Sequence, residues 1–63
     1  MIPAQVISMS GELLWSGRLP AAPIAGDEID LAGRGLMRVI RVTHVIGPDG
    51  AGNWIAIRVK GED

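Results

Sequence analysis

Arg38, Arg41, His44, Trp54 and Arg58 are the residues whose types and spacing offer chemistry, and that chemistry is binding. A guanidinium presents a planar fork of donors to carboxylates and phosphates. An indole stacks on a guanidinium, on a nucleic-acid base or against a partner chain. Lys60 adds a further cation close by in sequence. Trp54 stands on the outward positions of the last apolar run, beside Arg58, where it serves as a cap on one end of the sheet, as an interface anchor or as a base platform. Trp15, beside Leu13 and Leu19, reads as core.

Catalysis is hard to assemble from the same inventory. His44 is the single histidine and the one group that titrates near neutral pH. There is no cysteine, and Ser8, Ser10 and Ser16 lack a nucleophile-elbow context. Glu28 and Asp30 place two carboxylates on one strand face. That pair offers oxygen ligands to a divalent cation, or else a solvated face that discourages edge aggregation; the second reading fits a lone pair better. Gly33-Arg34-Gly35 lacks the following Lys-Ser/Thr and the helix start of a phosphate loop. No cofactor or metal is expected, and no thiolate site is available.

The elements that must position these residues follow from periodicity. Residues 3–9 read as a first strand, with Pro3 at its start where a missing N–H does least harm. A Ser10-Gly11 turn leads to a second strand over 12–19, in which Leu14 and Gly17 break the alternation. Residues 20–26 are an apolar loop with two prolines, expected to pack over an open end of the sheet. Residues 27–31 form a short third strand, and the glycine-rich turn at 32–35 leads into the longest stretch, 36–46.

That stretch carries conflicting signals. Arg34, Arg38, Arg41 and His44 recur at helical spacing, while Val39, Ile40, Val42, Thr43, Val45 and Ile46 are β-branched and favour strand. We read one long, bent strand. Strict alternation puts Arg38, Ile40, Val42, His44 and Ile46 on one face and Val39, Arg41, Thr43 and Val45 on the other, so both faces are partly apolar. Either a bulge near Val39-Ile40 switches the inward face, or the outer face is buried against another subunit. The turn at 47–52 then leads to a cleanly alternating last strand over 53–60, with Ile55, Ile57 and Val59 inward. Together these runs predict an all-β fold, one domain over 1–63: a small five-stranded antiparallel barrel with a long bent central strand at 36–46. In strand count and in the place of its long loop the pattern resembles an SH3-like barrel. The resemblance is architectural and implies no function.

Size and composition bear on association. The chain has 63 residues, 48% of them apolar, and no disulfide to brace it. A domain of this length buries only about 60% of the surface its unfolded chain exposes. Oligomerisation is the remaining device, most simply a twofold homodimer. No stretch approaches the about 20 apolar residues of a membrane span, and the start reads as no signal peptide, so a cytoplasmic protein is expected. The absence of Phe and Tyr and the excess of Arg over Lys suit a GC-rich bacterial or phage genome. Net charge is −1, yet residues 1–33 hold Arg18 against Glu12, Asp27, Glu28 and Asp30, whereas 34–63 hold five cations against Asp49, Glu62 and Asp63. The halves thus carry −3 and +2.

Three functions follow in order of support. The first is a non-catalytic oligomeric binding or assembly module, with a protein partner. The second is a nucleic-acid-binding small barrel using Arg38, Arg41, Arg58, Lys60 and Trp54, which the acidic net charge disfavours. The third, remote, is a small enzyme whose site forms at a subunit interface, where symmetry multiplies single residues such as His44.

Overall fold

Every alternating run becomes a strand. The computed structural model describes residues 1–50 and 52–61, and its strands are β1 (Ile2–Ile7), β2 (Leu13–Leu19), β3 (Glu28–Leu31), β4 (Gly35–Val45) and β5 (Trp54–Gly61). They form one sheet in the order β2-β1-β5-β4-β3. Glu62 and Asp63, and Ala51 of the expected 47–52 turn, lie outside the described residues.

Two features correct the expected antiparallel barrel. β1 and β2, β3 and β4, and β4 and β5 pair antiparallel, but β1 and β5 pair parallel, with Ala4 opposite Ile55 and Val6 opposite Ile57, so the sheet is mixed. Tight turns dictate antiparallel neighbours, whereas two strands at opposite ends of the chain meet in whatever direction the crossing between β2 and β3 leaves them. The sheet also stops short of closure, because its edges β2 and β3 share no ladder. It curls nevertheless: Trp15 and Leu19 of β2 and Ile29 and Leu31 of β3 all pack on one core of Ala4, Val6, Val39, Ile55, Ile57 and Val59. The result is a curled half-barrel with its core on the concave side.

A bulge solves the ambiguity of the long strand. In the β4–β5 ladder Val39 lies opposite Val59 and Arg41 opposite Arg58, leaving Ile40 as the extra residue. The expected bulge near Val39-Ile40 is therefore present. It puts Val39 and Val42 on the core side and sends Arg38 and Arg41, three positions apart, to the convex face. The strict-alternation faces were wrong for that reason: Val39 is buried, and Val42 packs on the core while Ile40 is exposed.

A second register shift lies in the β1–β2 hairpin, where Val6 faces Trp15 and Ile7 faces Leu13. Leu14 is the unpaired residue, so Leu14 and Trp15 pack on the core and Leu13, expected inside, is exposed. Gly17, which breaks the alternation of the second strand, seats the Trp15 ring: a Cβ there would lie 2.5 Å from Trp15 Cζ2. The loop after β2 covers the sheet only in part, since Ala22 packs on the core while Ile24 is 69% exposed.

The chain exposes 4270 Å², against about 3,900 Å² expected for a compact monomer of this mass. The surplus is what an open concave side predicts. No helix among the described residues is long and apolar enough to cross a membrane.

Candidate functional site

Two surfaces of the half-barrel carry the residues of interest, one concave and one convex.

The concave surface is a groove of 320 Å³ at the gap between the edge strands. Val6, Leu14, Trp15, Leu19, Ile29 and Leu31 line it, and Asp30, Ala32 and Arg34 complete its rim. Its two ionisable groups are of opposite sign. The groove exists because neither β2 nor β3 has a strand on its outer side, so their unpaired backbone edges flank an apolar floor.

The convex surface is set by the β4–β5 ladder. Arg38 lies opposite Lys60 and Arg41 opposite Arg58. The register places all four on the side facing away from Val39, Val59 and Ile57, so the two rungs that flank Val39–Val59 each pair like charges on that face. Like charges directly opposite one another destabilise a sheet. Arg58 donates to the Met9 carbonyl at 3.0 Å and Arg38 to the Gly26 carbonyl at 3.2 Å, which orients both guanidinium groups. On the far side of Arg38, Glu28 of β3 stands in register. Trp54 occupies the same face of β5 as Ala56, Arg58 and Lys60, opposite Val45, and is half-buried.

The five residues expected to bind therefore divide. Trp54, Arg38, Arg41 and Arg58 share the convex face. His44 is opposite Ile55, on the other side of the ribbon, and is exposed. Sequence reasoning missed Asp30 and Arg34 as groove residues; their positions before and within the 32–35 turn were the available signal.

Ser8 and Asp27 hold turns. Ser8 Oγ accepts from the Ser10 and Glu12 amides at 3.2 and 3.0 Å and contacts Ser10 Oγ at 2.9 Å, so it holds the β1–β2 connection. Asp27 Oδ2 accepts from the Ile24 amide at 2.9 Å. The backbone of Gly26 and Asp27 then bonds to Val39 in both directions, at 2.8 Å each. Among the described residues no three His, Cys, Asp or Glu come together as metal ligands. Asp27→Ala is expected to cost about 1 kcal/mol, since it removes one bond at an exposed turn; urea denaturation checks it, and a loss above about 2 kcal/mol would show that the turn holds more than itself.

No protein-family model, curated protein or solved structure matches this chain. Its two surfaces must therefore be read from their chemistry alone.

Proposed function

We propose that this protein is a non-catalytic self-assembling module, an SH3-like half-barrel that a second copy completes. The observation that carries the reading is the open groove between β2 and β3, an apolar floor bounded by two unpaired strand edges. A chain without disulfides gains most from covering such a surface. Asp30 and Arg34 on the rim point to a copy of the same chain as the cover. In a twofold contact residue i of one copy meets j of the other, and j meets i, so two rim charges of opposite sign complement each other twice. The parallel β1–β5 pair is the feature of this half-barrel that an SH3-like description does not supply.

Light scattering is expected to give twice the 6.6 kDa chain mass at tens of micromolar, the expectation resting on the paired edges of a twofold dimer. Asp30→Arg sets like charges against each other and shifts the mass to the monomer, while the double variant D30R/R34D restores the dimer. Both positions are exposed, so circular dichroism should stay unchanged throughout. A wild-type monomer at every concentration would end the reading. So would a D30R variant that still dimerises.

A further inference from the structure

We propose that the convex β4–β5 face binds single-stranded nucleic acid, with Arg38, Arg41, Arg58 and Lys60 on phosphates and Trp54 under a base. The inference goes beyond the self-assembly reading and uses the opposite side of the sheet.

The placement of charge is the first argument. The chain has six Lys and Arg, and four of them occupy the two rungs of one ladder on either side of the Val39–Val59 rung. Strand geometry sets those rungs about 7 Å apart. Like-charge rungs cost stability; Glu28 stands in register beside Arg38, and a ligand with regularly spaced negative charge would meet Arg41, Arg58 and Lys60 as well. The bulge at Ile40 contributes directly. Without the extra residue, Arg38 and Arg41 would fall on opposite faces of β4; with it they stand side by side.

The second argument is orientation. The bond from Arg58 to the Met9 carbonyl uses one of the five N–H donors of a guanidinium. It holds the group in place and leaves donors for a phosphate, whose two oxygens match the fork. Arg41 and Lys60 are exposed at diagonal corners of the array.

The third argument selects the partner. Trp54 lies on the same face and the same strand as Arg58 and Lys60. An indole along a cationic track stacks an unpaired base. A duplex offers no unpaired base, and an acidic peptide offers no ring, so both would leave Trp54 idle.

The test is fluorescence anisotropy with a labelled fifteen-nucleotide oligo(dT), titrated between about 20 and 200 mM salt. Wild type is expected to bind with a log–log salt slope of about −3, from four cations at about −0.7 per phosphate on a single strand. R41Q/K60Q should reduce the slope to about half. Arg18→Gln removes a charge two strands away, opposite Pro3, and should leave the slope unchanged. Trp54→Leu keeps apolar bulk but removes the ring. It should weaken binding at least about fivefold with the slope intact, because stacking carries no counterion release. No binding at 20 mM salt overturns the proposal, as does an unaltered slope in R41Q/K60Q. A poly-glutamate peptide or a duplex of equal length that binds as tightly as oligo(dT) also overturns it.

Discussion

Gly17→Val is expected to destabilise the domain by about 3 kcal/mol, the upper part of the range for forcing bulk into a packed site. Trp15 Cζ2 and Cη2 lie 2.5 and 2.7 Å from where the new Cβ would stand, closer than nonbonded carbons approach. The indole must leave its seat. It is part of the groove floor and packs on the core, so its departure exposes apolar area on the concave side. A chain of this length has only about 3–9 kcal/mol of stability in total, so the variant should lose a third or more of it. Urea denaturation measures the loss. Gly61→Ala is the control: nothing lies within 4 Å of a Cβ there, and a change within about 0.5 kcal/mol is expected. Combining Gly17→Val with Trp15→Leu should cost less than the two single losses added together, because the residues share one contact. Strict additivity would show that the ring does not depend on the glycine.

Gly17 also marks where sequence reading ends. All five strands were visible because β-branched residues alternate with polar ones between turn signals. The two apolar faces under strict alternation left a bulge or a subunit contact as alternatives for the long strand, and the register shows the bulge. The spacing of three between Arg38 and Arg41 now has an explanation, since one extra residue is inserted into a period of two, whereas the same spacing from Arg41 to His44 crosses no bulge and puts those two on opposite faces. Leu14 was the harder case. It and Leu13 are adjacent and equally apolar, and only the partner strand decides which is left over. The parallel β1–β5 pair was invisible, because no turn joins those strands. The groove went unseen for the same reason, as it exists only where two edges fail to meet.

The binding residues follow the same division. The identities of Arg38, Arg41, Arg58 and Trp54 as candidates were readable from type alone. Their meeting on one face required a register that begins at Val45 opposite Trp54 and shifts at Ile40. His44 separates from them because that register puts it opposite Ile55.

Ile57→Ala should leave much of the chain unfolded at low concentration. Ile57 is 0% exposed, and it is the residue of β5 flanked in register by Val6 of β1 on one side and Val42 of β4 on the other. It therefore joins the β1–β2 half of the sheet to the β3–β4 half. Truncating a buried isoleucine to alanine costs about 2–5 kcal/mol, much of what a domain of this size possesses. Ile57→Val should cost only about 1 kcal/mol, and Ile40→Ala, at the exposed bulge, within about 0.5 kcal/mol. The denaturant slope should stay constant across the series, because the surface exposed on unfolding barely changes. Concentration then links this position to assembly. A partner that binds only the folded state stabilises it by mass action, so the urea midpoint of Ile57→Ala should rise as protein concentration rises. D30R/I57A should lose that dependence, because charge repulsion at the groove rim removes the partner while the cavity at Ile57 remains. A midpoint of Ile57→Ala that ignores concentration would mean that the half-barrel folds alone, with its groove open.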